Sequence, residues 1–169
     1  MKIPFFPRKA PFVYPVPPAP PTAVLKPWFR ARGLVRVFPE GWGGASANFA
    51  PCAIAGTWPQ IENLLADSIP SLTHALIVLA RPDDLLLTDA QRDKLWRAFR
   101  VPVFEQIIGE RGVLLAAECE AHDGLHIEQA SFTSKLPRDE SLCGCGRKTP
   151  RLRPAPRVQP VRTIAAYAR

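Results

Sequence analysis

HALIVLA, residues 74–80, is the stretch of this sequence that decides the fold. Apart from its histidine it is entirely apolar, without the polar alternation of a strand that has one wet face. Such a run is typical of a strand covered on both faces. We therefore predict a central strand here, with His74 as a packed or edge residue rather than a metal ligand.

A helix and further strands are predicted on the C-terminal side of this strand. Thr88, with Gln91 three residues later, has the spacing of a capping box that begins a helix. The apolar face of this helix comprises Leu95, Trp96 and Phe99. Residues 101–108 and 113–119 are predicted strands joined by the hairpin signal Gly-Glu-Arg-Gly, and another strand begins at 124–127.

A strand, a turn and a second helix are predicted on the N-terminal side. Residues 34–38 form the first predicted strand. Residues 41–47, GWGGASA, lack the ending of a phosphate-binding loop and the spacing of a dinucleotide site, so we interpret them as a turn. Thr57 caps the helix, and Pro59 lies in its first turn. The buried stripe of this helix comprises Ile61, Leu64 and Leu65.

This order of elements predicts an α/β fold: a small mixed sheet with a β-meander and two or three helices, flanked by extended proline-rich arms. We place a basic N-terminal arm at residues 1–33, a compact core at residues 34–146 and a basic tail at residues 147–169. Nine of the 20 prolines lie between Pro4 and Pro27. That density predicts an extended first segment with no helix and little sheet.

Aromatic residues stand among the N-terminal prolines, where a purely solvated linker would not need them. They include Phe5, Phe6, Phe12 and Tyr14. We expect this arm to lie on a surface, either that of its own chain or that of a partner.

The net charge of +7 is distributed unevenly along the chain. Residues 1–36 contain seven bases and no acid, and residues 147–169 contain seven more bases and no acid. The remainder holds eight bases against all 15 acids. Basic segments of this kind suit a polyanion such as nucleic acid, and they equally suit the acidic core itself or a neighbouring copy of it.

Several observations address the cellular setting. No apolar run approaches the roughly 18 residues that a membrane span needs, and prolines interrupt the start where a signal peptide needs an apolar stretch. We therefore expect a cytoplasmic protein without a membrane partner. The four cysteines then point to metal ligands or free thiols rather than disulfides.

Cysteine and histidine residues form a constellation near the C-terminal side of the predicted core. Cys119, His122 and His126 are followed by Cys143 and Cys145 in a CGCG sequence. Thiolates and imidazoles are the ligands that zinc prefers, and a structural site takes four. The residues therefore predict a structural zinc site, with buried thiols and a surface CGCG turn as the alternative. Cys52 lies outside this group and is expected to be a buried small hydrophobe.

The choice between the two histidines depends on strand register. If Asp123-Gly124 forms a two-residue hairpin turn, Cys119 pairs opposite Glu128, and Cys119 and His126 share a face of the sheet. His122 then points to the other face. We therefore predict the ligand set Cys119, His126, Cys143 and Cys145, with His122 as the competing fourth ligand.

The segments AAECEAHDGLHIE (116–128) and CGCGRKTPRL (143–152) resemble the phenylacetate–CoA ligase branch of the adenylate-forming ligases. The resemblance spans about residues 72–152. It implies a related α/β scaffold and extends to the Cys/His cluster. The chain departs from the family at residues 105–109, where the tyrosine, hydroxyl residue and glutamate of the adenylate motif are missing, and it has no counterpart of the phosphate loop or of the mobile C-terminal domain.

Three functions follow from these patterns, and we do not expect a self-sufficient enzyme. The favoured one is a non-catalytic, zinc-stapled binding or structural subunit whose basic arms dock onto a protein partner or identical copies. The second is an RNA- or ribonucleoprotein-binding accessory protein, in which four aromatic residues stack on bases. Those residues are Phe12, Tyr14, Trp28 and Phe29. The third is a degenerate acyl-CoA or adenylate-forming ligase fragment.

Overall fold

A mixed β-sheet organises the computed structural model, which describes residues 8–67 and 69–153. Within these residues the sheet has nine strands in the order β2-β1-β3-β4-β5-β6-β7-β9-β8. The strands are β1 Thr22–Val24, β2 Val35–Val37, β3 Ala53–Thr57, β4 Ala75–Ala80, β5 Val103–Ile108, β6 Leu114–Glu118, β7 Leu125–Ile127, β8 Arg138–Asp139 and β9 Arg151–Leu152. The helices are α1 Gly44–Asn48, α2 Trp58–Asp67 and α3 Asp89–Phe99, with a short 3-10 turn at Glu110–Gly112.

The sheet changes character along its length. Strands β2, β1, β3, β4 and β5 pair in parallel, whereas β5, β6, β7, β9 and β8 pair antiparallel. The predicted mixed α/β class is confirmed. The predicted central strand is also confirmed, because every residue of β4 is buried and β4 lies between β3 and β5.

Two layers cover the parallel part of the sheet. Helices α2 and α3 pack on one face, where Ile61 and Leu95 join a cluster with Leu76. Phe12 and Phe29 of the N-terminal segment pack on the other face. Because side chains alternate along a strand, the fully apolar sequence of β4 supplies both layers.

Local sequence signals place the two longer helices correctly. Thr88 accepts a hydrogen bond from the backbone of Gln91, and the Gln91 side chain accepts one from the Thr88 N–H. Leu95 and Phe99 are buried as predicted, but Trp96 is 50% exposed. Trp96 lies one position beyond the narrow stripe that faces the sheet, so its inclusion in the apolar face was wrong. The predicted turn at residues 41–47 also contains the first residues of α1.

The N-terminal segment contributes more to the sheet than its proline content indicates. β1 lies inside the predicted arm and pairs with both β2 and β3, so three residues of the arm belong to the sheet. The physical reason is local: residues 22–26 contain no proline and can donate ladder hydrogen bonds. The carbonyl of Pro21 still serves as an acceptor, and the Cys52 N–H donates to it at 2.8 Å.

Residues 10–30 pack against the rest of their own chain. The sequence had left open whether this segment lies on its own chain or on a partner. The rings of Phe12 and Phe29 meet edge to face with centroids 5.3 Å apart. Gln106 donates from its side chain to the carbonyl of Val13 at 2.9 Å. The Arg81 guanidinium stacks 3.7 Å over the ring of Trp28. The buried rings of Phe12 and Phe29 are therefore packed within the fold.

The predicted C-terminal tail also enters the sheet. β9 pairs with β7 on one side and with β8 on the other, so two residues of the predicted tail belong to the sheet. The reason is that the charge of Arg151 is neutralised where it is buried, by Asp123 and Asp139. The predictions for residues 1–7 and 154–169 lie outside the described residues.

None of the helices in the described part of the chain has both the length and the apolar character needed to cross a membrane.

Candidate metal centre

Four side chains converge at the antiparallel end of the sheet. The ligand atoms of Cys119, His126, Cys143 and Cys145 all lie within 4.8 Å of one another. Cys119, His126 and Cys143 are buried, and Cys145 is half-buried. These are the four residues predicted as ligands from the sequence.

The spacing of these atoms suits a tetrahedral ion. The sulfur atoms of Cys119 and Cys143 are 3.7 Å apart, and the sulfur of Cys145 lies 3.4 Å from Nε2 of His126. In a tetrahedron with zinc–sulfur bonds of about 2.3 Å, neighbouring sulfurs are about 3.8 Å apart, and sulfur–nitrogen separations are slightly shorter. The donor set and its dimensions therefore fit a four-coordinate metal ion with no open position.

The sheet delivers the ligands from two directions. Cys119 follows the last residue of β6, and His126 is the middle residue of β7. Cys143 and Cys145 lie on the loop between β8 and β9, and the pairing of β9 with β7 brings that loop to the site. The turn closes with a hydrogen bond from the N–H of Gly146, in left-handed backbone conformation, to the carbonyl of Cys143 at 2.9 Å.

The predicted register of this hairpin was wrong, although the predicted face was right. Glu118 pairs with Leu125, so the connection is longer than a two-residue Asp-Gly turn. Relative to the predicted register, the second strand is displaced by four residues. An even displacement leaves every side chain on its original face, whereas an odd one would have reversed them. Cys119 and His126 therefore meet as expected.

The position of the His126 ring places it, rather than His122, with the three thiols. Its Nδ1 atom lies 2.9 Å from the hydroxyl of Thr149 and 3.2 Å from the Thr149 carbonyl, which leaves Nε2 facing the sulfurs. A hydrogen bond at one ring nitrogen orients a histidine for metal binding at the other. His122 lies elsewhere: its ring stacks on Phe104 at 4.6 Å, and its Nδ1 is 3.9 Å from the Glu118 carboxylate.

The protein environment acts unequally on the thiols. Burial raises the pKa of Cys119, because a thiolate loses its hydration there. A hydrogen bond from the Cys145 backbone lowers the pKa of Cys143, because it stabilises the thiolate form. The Arg147 N–H also approaches the sulfur of Cys145, at 3.5 Å. Backbone donors of this kind favour the deprotonated sulfur that a metal binds.

An ion-pair network holds β9, which follows Thr149, against the neighbouring loops. The buried guanidinium of Arg151 bonds to the Asp123 carboxylate and donates to the Ser141 hydroxyl at 2.8 Å, and it lies 3.0 Å from Asp139. Arg153 pairs with the same two carboxylates. The sequence analysis missed the roles of Thr149 and Arg151. Their place in the segment 143–152, which carries the family resemblance, was the available signal.

A second buried polar cluster lies on β5 and β6. Arg92 of α3 pairs with both Glu105 and Glu118, and the N–H of Leu87 donates to Glu105 at 2.7 Å. Burial raises the pKa of Glu105 to about 7, against the lowering effect of Arg92. All four carboxylate oxygens of Glu105 and Glu118 have a partner within the chain, which is typical of a structural network joining α3 to the sheet.

Cys52 stands apart from the metal cluster, as predicted, but it is half-buried rather than buried. It lies at the entrance to β3, where its carbonyl accepts a hydrogen bond from the N–H of His74 at 3.0 Å. The sheet fixes the backbone of Cys52, while its side chain is half-buried.

Comparisons with known proteins give a match among solved structures. No protein-family model and no curated protein matches it. Among solved structures it is similar to an open conformation of 2-hydroxyisobutyryl-CoA ligase in complex with 2-HIB-AMP and CoA, at 15% sequence identity and a TM-score of 0.55. The match covers 81% of this chain and 44% of the ligase chain.

At this identity the comparison establishes a shared fold. It confirms a partial resemblance to the adenylate-forming ligases, and the matched region extends beyond the stretch that carried the resemblance in the sequence. The chain spans less than half the length of the ligase chain that it matches.

Proposed function

We propose that this chain is a non-catalytic binding subunit whose antiparallel sheet is held together by a structural zinc ion. The convergence of Cys119, His126, Cys143 and Cys145 within 4.8 Å carries the proposal. A complete set of four protein ligands, three of them buried, is typical of structural zinc rather than catalytic zinc, which keeps one position for water. In this role the ion joins the loop before β9 to the β6–β7 hairpin.

The strand that aligns with the adenylate motif of the ligases supports a non-catalytic role. Residues 105–108 lie within β5, every residue of which is buried. Glu105 is engaged by Arg92, and Gln106 by the Val13 carbonyl. Side chains engaged in this way do not present groups to a phosphate or to magnesium.

A reduced ligase module is the second candidate, and the fold comparison is the observation that favours it. The similar structure is described as a complex with 2-HIB-AMP and CoA. If this chain retained activation chemistry, it would catalyse exchange of pyrophosphate into ATP in the presence of a carboxylic acid. Absence of exchange with a panel of carboxylates would eliminate this candidate.

Elemental analysis of the purified full-length protein tests the zinc site. We expect about one zinc ion per chain when chelators are omitted. The double variant C143S/C145S should lose the metal, whereas C52S removes a thiol outside the cluster and should retain it. Cobalt substitution provides a second measurement, because a tetrahedral thiolate site gives intense visible absorption.

Two results would overturn the zinc proposal. One is a zinc content below about a tenth of an equivalent under metal-preserving conditions. The other is an equal metal content in the wild type and in C143S/C145S, which would locate the zinc elsewhere.

The binding role requires a test that leaves the sheet intact. Deletion of residues 1–33 would remove β1, which pairs on both sides, so loss of binding by that truncation would be uninformative. Charge-reversal variants of exposed bases keep the backbone in place. Light scattering of these variants and of the wild type reports whether identical copies associate, and co-purification from the native source reports a protein partner.

A further inference from the structure

A cluster of exposed basic side chains lies on the face of the sheet that the N-terminal segment covers. We call it the N-terminal basic patch, and it comprises Arg8, Lys9, Arg30, Arg32 and Arg111. Four of these residues come from the first 36 positions, which contain no acid. Arg111 belongs to the turn between β5 and β6 and is distant in sequence, so the patch is assembled by the fold.

Backbone hydrogen bonds hold these bases together. Ala10 donates to the carbonyl of Arg111 at 2.8 Å, and its own carbonyl accepts from the N–H of Arg30 at 3.0 Å. Pro11 and Arg30 form a parallel bridge. Backbones joined in this way lie about 5 Å apart. Several positive charges are therefore attached within a short distance of one another.

Close packing against Gly112 fixes the position of the patch relative to the sheet. A Cβ atom at Gly112, which has φ of +79°, would lie 2.6 Å from the Trp28 carbonyl oxygen. The N-terminal segment therefore runs directly against the β5–β6 turn. Since Arg111 precedes this glycine, its charge is held beside the segment that carries Arg30.

The bases of the patch make no ion pair with any described acid. The acidic neighbour along the chain, Glu110, is exposed and forms no described ion pair either. Like charges held together without counter-charges repel one another, and no contact within the described fold accounts for them. An external anion would offset that repulsion.

We propose that the N-terminal basic patch binds the phosphate backbone of a nucleic acid. Four of its five cations are arginines, whose planar guanidinium groups match phosphate oxygens in a two-point contact that lysine does not make. A row of regularly spaced phosphates also satisfies several cations at once, with release of bound counterions. An acidic protein surface is the competing partner and becomes an outcome of the test.

Recognition at this patch is independent of base sequence. Phe12 and Phe29 pack inside the fold, and Arg81 covers a face of the Trp28 ring. Three of the four aromatics in the base-stacking platform that the sequence suggested are therefore engaged within the fold. Contacts remain with phosphate and sugar, which position a protein on nucleic acid without reading its sequence.

This inference rests on the binding role proposed above but not on zinc. The patch is built from residues 8–32 and the β5–β6 turn, and none of its residues belongs to the Cys/His cluster. Metal content and nucleic-acid affinity are therefore measured separately. A protein with zinc and no affinity refutes this inference alone, and one with affinity and no zinc refutes the metal site alone.

The experiment measures binding of the full-length protein to a fluorescently labelled, mixed-sequence single-stranded RNA by anisotropy over a range of salt concentrations. With five phosphate contacts, log K should fall against log salt with a slope of about −3.5. In R30E/R111E the slope should become shallower, about −2, and affinity at moderate salt should drop at least roughly tenfold. Duplex DNA serves as a second probe, for which five phosphate contacts give a slope of about −4.5.

The control is K94E/R97E, which changes net charge equally on α3, on the opposite face of the sheet. It should retain most of the affinity. Equal weakening by both double variants, no binding at low salt, or binding without salt dependence would overturn the proposal. Displacement of RNA by a polyglutamate peptide at lower concentration than by unlabelled RNA would also overturn it, in favour of an acidic protein partner.

A thermal melt of each variant separates lost binding from lost structure. If R30E/R111E proves unfolded, R8E/K9E replaces it, because both of those side chains are exposed and lie before the first sheet element. Retention of wild-type affinity by a folded R8E/K9E variant would then contradict the proposal.

Discussion

The two basic ends of this chain look alike in sequence and differ in structure. At the C-terminal end, Arg147, Arg151 and Arg153 all pair with acids of the same chain. At the N-terminal end, the bases form no ion pair among the described residues, and apolar and backbone contacts fasten the segment instead. The two ends therefore carry equal numbers of basic residues but use arginine differently. At the C-terminal end arginines form ion pairs within the chain, and at the N-terminal end they are available for binding.

The physical difference lies in what each segment packs against. The C-terminal segment crosses the antiparallel end of the sheet, where Asp123 and Asp139 provide counter-charges. The N-terminal segment crosses the parallel part, where Phe12 and Phe29 meet an apolar surface and the bases point outward. Each of the following predictions tests one side of this comparison.

Metal removal should have the largest effect, and it should be confined to the C-terminal side. Structural zinc contributes on the order of 10 kcal/mol of binding free energy that is available to the fold. After chelation we expect backbone amides in 119–127 and 143–152 to lose hydrogen-exchange protection, while 22–24 and 75–80 keep theirs. Equal loss of protection in both sets of amides, or no change in either, would contradict the conclusion that the two ends of the chain are held in place independently.

Phe12→Ala should produce the largest loss on the N-terminal side. Phe12 is 7% exposed and packs edge to face on Phe29, so its removal leaves a cavity and should lower the free energy of unfolding by about 3 kcal/mol. Val13→Ala is the matched control, because Val13 is 49% exposed and should cost less than about 0.5 kcal/mol. Urea denaturation measures both. Equal effects would show that the segment is not seated in the core.

Arg151→Leu should lower the melting temperature by roughly 5–10 °C, because it leaves the Ser141 hydroxyl without this donor and two carboxylates with Arg153 as their remaining ion-pair partner. Arg30→Leu, which removes an arginine with no described ion pair, should shift it by less than about 2 °C. Differential scanning fluorimetry of the zinc-loaded proteins gives both values. A larger shift for Arg30→Leu would reverse the assignment of internal and available arginines.

Acid should remove the C-terminal ion pairs, with the smallest effect of the four. The hydrogen bond from Arg151 lowers the pKa of Asp123 below its usual range. A depressed folded pKa gives stability that is present above the unfolded pKa and is lost as pH falls through the folded value. The stability difference between wild type and Asp123→Asn should therefore be constant near neutrality and shrink below about pH 4. A stability difference between the two proteins that persists in acid would show that the difference comes from packing and not from the ion pairs.

Much of the fold was predictable because its signals are local. The capping box at Thr88 and the apolar run of β4 require only neighbouring residues, and both predictions are confirmed. β1 was missed because it lies in a proline-rich segment, and β8 and β9 were missed because two residues are too few to show a periodic pattern. Their existence depends on pairing with strands that are far away in sequence.

The candidate site was predictable in composition but not in assembly. Residue chemistry singled out the four side chains that cluster, since zinc prefers thiolate and imidazole ligands. The face of His126 was correct although the register was displaced, because parity alone decides the face. The roles of Thr149 and Arg151 could not be derived, because they follow from the pairing of β9 with β7.

By itself the sequence determined the elements with local codes, the ligand types and the excess of positive charge at both ends. Those properties follow from side-chain chemistry and short-range spacing, which the chain carries whether folded or not. Only the tertiary structure decided that Arg151 is neutralised internally and that Arg111 joins the N-terminal bases. The physical reason is that an electrostatic interaction depends on the distance between charges in space. The sheet brings together one pair of residues that is 28 positions apart along the chain and another pair that is 101 positions apart.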